Sequence, residues 1–364
     1  MKAAIMRAVG APLAIEDIRL DTPRAREVVV RTVATGVCHS DLHVLEGSLP
    51  NPLPTVLGHE PAGVVEAVGS EVRHVAPGDH VIGCLSAFCG TCEYCVAGRP
   101  YLCDGEALMR PAGDSPRLAK DGETITQFVH LSAFAERMLV HENALVRIRT
   151  DVPLDRVALI GCGVTTGLGA VFNRARVQAG QTTAIIGCGG IGLAVVQGCR
   201  IAGAGRIVAV DTVPWKLELA ARLGATDVVN AAEGNPVPRV VEMTAGGVDY
   251  AFEAIGLPPT VRQAVRMTRA PREDDPRLPD GLEPLPHGYA PLGRALSEGS
   301  APPRRDDLGP PPLEGVNDTF EALRRTRPRA SDPFGDLIGV IRDAPPDLAE
   351  HHDRYLYGAP SRRR

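Results

Sequence analysis

Four cysteines within fifteen residues constrain this chain more than any other feature. Cys89, Cys92 and Cys95 are separated by two residues each, and Cys103 follows after seven more. A thiolate is a soft, charged ligand, and four of them complete a tetrahedral metal with no open position. Two-residue gaps let a tight turn aim successive sulfurs inward. The pattern points to structural zinc. Two other readings stand beside it. A bacterial ferredoxin run ends in a three-residue gap and a Cys–Pro pair, whereas here the last gap is seven and Asp104 follows. A disulfide framework suits a small secreted domain better than a chain of 364 residues.

That length accommodates two domains, and an apolar content of 44% supports a core. The net charge of −5 offers no electrostatic footprint for nucleic acid. Arg362, Arg363 and Arg364 read as a solvated tail. No apolar run reaches the length of a membrane span, and residues 1–7 are too short and broken for a signal peptide. Nine cysteines with four clustered fit a reducing, cytoplasmic setting.

Residues 1–150 read as mostly strand. Residues 27–33 carry Val28, Val29, Val30, Thr32 and Val33; residues 62–68 and 80–82 are similar, with Gly69 and Pro77-Gly78 as punctuation. A small irregular β domain follows from this, and residues near 330–345 are candidates to return to it. From Asp151 the pattern changes to helix over 154–160 and 166–175. Strand 183–186, Gly-rich turn 187–192, helix 193–202 and strand 206–210 come next. Helix 214–223 opens at Pro214; strand 227–229, a helix and strand 248–252 complete the run. Such alternation predicts an α/β domain over 151–268 with a doubly wound parallel sheet. Residues 270–333 then hold thirteen prolines, which suits loop and not central strand. We take 269–315 as irregular and 316–364 as a remnant helix (316–323), a terminal strand near 334–341 and a tail.

Two further places suggest zinc chemistry: Cys38 in Gly36-Val37-Cys38-His39-Ser40-Asp41-Leu42-His43, and His59 in Gly58-His59-Glu60. Cys162, between Gly161 and Gly163, adds a second thiol. Two thiolates, one imidazole and an open position make a catalytic zinc set. Singly, Cys38 and Cys162 also read as small buried packing residues, His59 as a hydrogen-bonded loop histidine, and Glu60 as a surface charge.

As an ordered set, Gly58-His59-Glu60, the four-cysteine lobe, Gly161-Cys162-Gly163-Val164-Thr165-Thr166-Gly167 and Gly187-Cys188-Gly189-Gly190-Ile191-Gly192 resemble the zinc-dependent medium-chain alcohol dehydrogenases. The segment between Cys103 and Ala133 is similar to the class III, formaldehyde-dehydrogenase-like branch. The resemblance implies a GroES-like catalytic domain and a Rossmann-type domain. It also implies two zinc ions per chain, NAD, a small alcohol or aldehyde substrate and a homodimer. Cys38, His59 and Cys162 would hold the catalytic zinc, with Glu60 behind it as an occasional ligand. Cys89, Cys92, Cys95 and Cys103 would hold the structural zinc. Ser40 would bond the alcohol oxygen and His43 would carry its proton onward by way of the cofactor ribose. Ser40 also reads as a helix cap and His43 as a partly exposed helix residue.

Gly187 suits a tight turn, Gly189 close approach of a pyrophosphate, and Gly192 packing of helix on strand. Gly190 and Ile191 complete the loop. Asp211 stands nineteen residues past Gly192 at the end of the next strand. A carboxylate there accepts from the ribose hydroxyls and repels a 2′-phosphate, which favours NAD over NADP. Lys216 resembles the family's lysine beside that ribose, and Thr166 the residue near the nicotinamide. His39 stands where the family often places a basic residue near the pyrophosphate; it reads equally as an exposed loop histidine. Cys84, Cys188 and Cys199 read as ordinary buried thiols.

After Thr268 the family's further strands would complete the nucleotide sheet and the dimer interface. Here the proline-rich stretch stands instead, so the Rossmann domain reads as incomplete. The family's late arginine, which pairs with the glutamate matching Glu60, has Arg342 as its nearest candidate. Three readings follow: an NAD- and zinc-dependent alcohol dehydrogenase, a zinc-binding relative without a productive nicotinamide site, and an S-(hydroxymethyl)glutathione dehydrogenase.

Overall fold

The eleven-residue strand Glu27–Val37 is the axis of the first half of the chain. It lies in a computed structural model that describes residues 1–269 together with Leu313, Val316, Asn317, Phe320, Gly339 and Val340. The proline-rich stretch 270–312, Arg342 and the arginine tail lie outside the described residues. Contacts divide the chain into two units, the first running from Met1 to Cys162 and the second beginning at Gly163.

In the first unit we label the main elements β1 (Lys2–Met6), β2 (Ala14–Asp17), β3 (Glu27–Val37), α1 (His39–Leu45), β4 (Thr55–Val56), β5 (Glu60–Val68), β6 (His80–Gly83), β7 (Thr126–Gln127), β8 (Arg137–His141) and β9 (Leu145–Arg147). One sheet runs β8-β3-β5-β6-β9 and another β7-β4-β1-β2. The β-branched run of β3 is buried along most of its length, as expected for a strand covered on both faces. Register shifts at Val29/Val30 and Thr32/Ala34 bend it against β5. Its core gathers Val28, Val30, Val65, Val81, Met138 and Val140 together with Cys89 and Leu108 of the cysteine lobe.

Late residues join this unit. The Asn317 side chain accepts from Leu13 N–H and donates to Leu13 C=O, at 2.7 and 2.8 Å. Phe320 meets Phe134 edge to face. Gly339 and Val340 pair antiparallel with Val37 and Gly36.

The second unit holds α2 (Gly163–Gly169), β10 (Thr182–Ile186), α3 (Gly190–Ile201), β11 (Arg206–Asp211), α4 (Pro214–Leu223), β12 (Asp227–Asn230), α5 (Pro236–Met243), β13 (Tyr250–Glu253) and α6 (Pro258–Met267). Its sheet is wholly parallel in the order β12-β11-β10-β13. Proline opens α4, α5 and α6, where its missing N–H costs nothing. Two apolar layers cover the sheet, one built on Ile185, Val195 and Phe252 and the other on Ile186, Val210 and Met267. The last strand begins at Tyr250 and not at Val248. Val248 instead forms an isolated parallel bridge with Thr268, so the chain leaving α6 turns back alongside the sheet. Among the described residues no single helix is long and apolar enough to cross a membrane.

Candidate active site and metal centres

Cys38 follows β3 directly and caps α1. Its sulfur accepts the Ser40 N–H at 3.5 Å, and the Asp41 carboxylate returns to the Cys38 N–H at 3.1 Å. This reciprocal box holds the thiol at a helix start. It also corrects one expectation: Cys38 is the cap and Ser40 is the second residue of the helix. Asp41 then reaches the next loop. Its Oδ1 accepts Gly58 N–H at 2.9 Å and lies 3.1 Å from His59 Nδ1. A carboxylate beside Nδ1 places the ring proton there and leaves the Nε2 lone pair for a ligand.

Glu60 opens β5 directly opposite Gly36 of β3. A Cβ at Gly36 would stand 1.9 Å from Glu60 Oε2, so only glycine leaves room for this carboxylate. Cys162 follows a short 3-10 turn, Ala158–Gly161. There Gly161 packs so closely on Gly83 that a Cβ would lie 2.2 Å from its carbonyl. The result is that one ligand atom from each of Cys38, His59, Glu60 and Cys162 lies within 4.8 Å of every other. His59 and Glu60 are 2% and 0% exposed, which removes the readings of Glu60 as a surface charge.

The four ionisable groups of this cluster act strongly on one another. Hydrogen bonding from Cys162 pulls the Cys38 thiol well down, with the nearby His59 imidazole adding to it against burial. Cys162 rises in response. Burial pulls His59 down, but the charges of Asp41 and Cys38 outweigh it and hold the ring above its ordinary value. Burial and the Cys38 charge push the Glu60 carboxyl well up. Neither Glu60 oxygen has a hydrogen-bond partner among the described residues. A buried carboxyl without donors stays protonated unless a cation faces it. Two thiols, an imidazole and that carboxylate fit zinc.

The lobe brings the four sulfurs of Cys89, Cys92, Cys95 and Cys103 within 4.8 Å of one another. Backbone N–H groups of Thr91 and Cys92 donate to Cys89 Sγ at 3.4 and 3.2 Å, and Cys89 N–H donates to Cys103 Sγ at 3.3 Å. Donors from Thr91, side chain and backbone, and from Cys92 bring the Cys89 thiol down to about 6, while burial leads in pushing Cys95 up to about 12. Four thiols fit a closed zinc site and leave no place for a substrate.

In the second unit, Gly187 takes φ +92°, Gly189 caps α3, and Gly190, Ile191 and Gly192 form its first turn. A Cβ on Gly192 would lie 1.7 Å from the Gly187 carbonyl. Asp211 ends β11 with its carboxylate tied down: Oδ2 accepts Cys188 N–H at 2.7 Å and Oδ1 accepts Val213 N–H at 2.9 Å. The Lys216 ammonium sits over the Trp215 ring, 5.8 Å from its centroid, and Thr166 is exposed on α2. His39 is not an exposed loop residue. It is 5% exposed within α1, with its ring centroid 5.9 Å from that of His43. His43 is likewise buried. Cys188 and Cys199 are buried, whereas Cys84 is half-buried.

Comparison with known proteins agrees with this architecture. Residues 24–150 match the alcohol dehydrogenase GroES-like domain and residues 190–271 the zinc-binding dehydrogenase family. The chain is 44% identical over 276 residues to an alcohol dehydrogenase class-3 of Drosophila melanogaster, covering 73% of each chain. The chain belongs to the zinc-dependent medium-chain alcohol dehydrogenases. Within that family it is class III-like. It is 46% identical over 273 residues to an S-(hydroxymethyl)glutathione dehydrogenase of Photobacterium damsela subsp. piscicida, covering 72% of this chain and 73% of the relative. A crystal structure of an alcohol dehydrogenase zinc-binding domain protein from Burkholderia ambifaria superposes with a TM-score of 0.68 at 44% identity. That match covers 73% of this chain and 74% of the other. The cofactors of this alcohol dehydrogenase family are zinc and NAD, and its substrates are small alcohols.

Asp41 was not among the functional residues expected from the sequence. The available signal was an acidic residue three positions after a cap, which ordinarily marks a helix start and nothing more.

Proposed function

We propose that Cys38, His59 and Cys162 hold the catalytic zinc of an NAD-dependent alcohol dehydrogenase, with Glu60 as the fourth donor behind them. The observation that carries this is the convergence of the four ligand atoms within 4.8 Å, with the Asp41 carboxylate behind His59. Bound zinc supplies charge that favours ionisation of an alcohol oxygen, and the nicotinamide of NAD supplies a hydride acceptor.

The chain's own side chains account for the proton and for orientation. Ser40 Oγ lies 3.6 Å from Cys38 Sγ, so a hydroxyl donor stands beside the ligand cluster. His43 follows one helical turn later on the same face, where an imidazole takes the proton onward. Asp41 fixes the His59 tautomer. Gly187, Gly189, Gly190, Ile191 and Gly192 present backbone to a pyrophosphate, and Asp211 and Lys216 face the adenosine ribose. His39 and Thr166 complete the cofactor contacts in this reading. Cys89, Cys92, Cys95 and Cys103 hold the structural zinc. Six cysteines in two zinc-ligand sets must stay reduced to bind metal, and on that ground we carry a reducing, cytoplasmic location with this reading. We carry the family homodimer forward with this reading; sedimentation tests it.

The test is metal analysis joined to an assay. Two zinc ions per chain and alcohol-dependent formation of NADH are expected. One zinc per chain, with no binding of NAD by quenching of Trp215 fluorescence, would leave only a zinc-binding relative without a productive nicotinamide site. A second reading, favoured by the identity to S-(hydroxymethyl)glutathione dehydrogenases, makes S-(hydroxymethyl)glutathione the substrate. Formaldehyde oxidation that requires added glutathione supports it, and oxidation independent of glutathione removes it.

A further inference from the structure

The segment from Phe128 to Phe134 has an unusual backbone. Val129, His130 and Ser132 all take positive φ, at 42°, 64° and 66°. A β-branched valine in that region is a strained choice, and such strain persists only where the surroundings over-determine it. The surroundings here are the strand that leads into His59. Ser132 Oγ donates to Val56 C=O at 2.9 Å and accepts Phe128 N–H at 3.1 Å. Ala133 N–H donates to Gly58 C=O at 2.9 Å, and Phe134 N–H to Leu57 C=O at 3.0 Å. Phe134 also abuts Gly58, where a Cβ would lie 2.6 Å from its ring. The segment is therefore stitched to residues 56–58 along its length.

The left-handed run delivers one side chain to the metal cluster. Phe128 is buried, and its ring meets the His59 imidazole edge to face, with centroids 5.7 Å apart at 73°. Asp41 holds His59 at one ring nitrogen, which restrains the imidazole at its edge and leaves its remaining freedom to tilt to the packing around it. A second wall is needed to fix the ring plane, and Phe128 is that wall. We propose that Phe128 and Ser132 are positioning residues for His59: Ser132 locks the strained segment to Val56, and Phe128 sets the imidazole plane for the Cys38/His59/Cys162 centre. The inference rests on that centre being a metal site.

The experiment uses the full chain reconstituted with Co(II), whose absorption distinguishes a four-thiolate site from a site with two thiolates and an imidazole. Wild-type protein taking up one cobalt only would overturn the underlying metal-site reading, and the inference with it. With two sites filled, Phe128→Leu is expected to weaken the mixed site by about tenfold or more and shift its ligand-field bands. The four-cysteine site then serves as the internal control and stays unchanged. Ser132→Ala is expected to act in the same direction, and Ser132→Cys, an unbranched side chain that keeps a weak donor at the left-handed position, to lose less than Ser132→Ala. If Phe128→Leu fails to fold, the Ser132 pair decides alone. Unchanged mixed-site affinity and spectrum in the folded variants, or equal losses at both sites, would overturn the proposal.

Discussion

Asp41 Oδ1 lies 3.1 Å from His59 Nδ1, and both side chains are buried. The same carboxylate accepts the Cys38 and Gly58 N–H groups. One residue thus ties together the two loops that carry Cys38 and His59. Carboxylates behind a metal-bound imidazole fix its tautomer and raise its basicity, and their loss typically costs ten- to hundredfold in metal affinity. Asp41→Asn keeps the shape and removes the charge. We expect it to lower zinc affinity at the Cys38/His59/Cys162 site by about tenfold or more, measured by competition with a chromophoric chelator. Unaltered affinity would reduce Asp41 to the capping-box partner of Cys38.

The cysteine lobe contributes to stability by a different route. Cys89 and Leu108 belong to the same core cluster as Val28 and Val140, and Cys92, Cys95 and Cys103 pack against it. A metal bound only by the folded lobe contributes its binding energy to folding. Cys103→Ser removes one of four thiolates from a closed site. Zinc content is expected to fall by about one ion per chain, and the first unit to lose roughly 3 kcal/mol or more of stability. Metal analysis and urea unfolding check this. Retention of the full metal content would show that the lobe does not depend on Cys103.

Legibility in the sequence followed the range of the interaction. The lobe was readable because its ligands are close in sequence and the spacing itself encodes the turn. Gly187, Gly192 and Asp211 were readable because a strand, a tight turn and a helix leave a local glycine pattern. The Cys38, His59 and Cys162 cluster was suggested by the chemistry of its donor set and by resemblance to a family, while their convergence was not legible. What assembles it is the pairing of β3 with β5, which sets Gly36 opposite Glu60, and no local pattern states that register. Asp41 was hidden because an acid in the first turn of a helix has an ordinary explanation. The left-handed run at Val129, His130 and Ser132 was hidden for the opposite reason: Val129 and Ser132 do not favour that conformation, and one histidine between them is too weak a signal to foretell it.

Glu27 gives a prediction for acid stability. It is 4% exposed and accepts from Arg110 Nε and Nη2 at 3.0 and 2.5 Å, from Arg117 Nε at 2.7 Å and from Arg24 N–H at 2.9 Å. Burial pushes its carboxyl up, but these donors outweigh burial and bring it down to about 2. A depressed folded value stabilises the fold above the ordinary carboxylate range and loses that contribution as pH falls through it toward 2. We expect about 2 kcal/mol to disappear across that window, after allowance for solvent screening. Acid also strips metal ligands, so the readout is the stability difference between wild type and Glu27→Gln in urea unfolding. The difference should be largest near neutrality, where the variant removes the carboxylate shared by Arg110 and Arg117, and should shrink below about pH 4.5. A difference constant with pH would place the contribution elsewhere.

Asp211 is the last case, and its two jobs must be separated. Its oxygens accept the N–H groups of Cys188 and Val213, so it shapes the glycine loop in addition to the ribose contact proposed for it. Replacing it with serine therefore loosens the loop for any dinucleotide, and a fall in NAD affinity alone says little. The charge acts selectively. A fixed carboxylate repels a 2′-phosphate and accepts from two ribose hydroxyls, while serine repels nothing. Asp211→Ser is expected to weaken NAD and NADP together through the loop and to narrow the preference for NAD by about tenfold or more. The ratio of kcat/KM for the two cofactors reads this directly, because the shared loop effect cancels in it. An unchanged ratio beside lowered individual values would assign Asp211 to the loop alone.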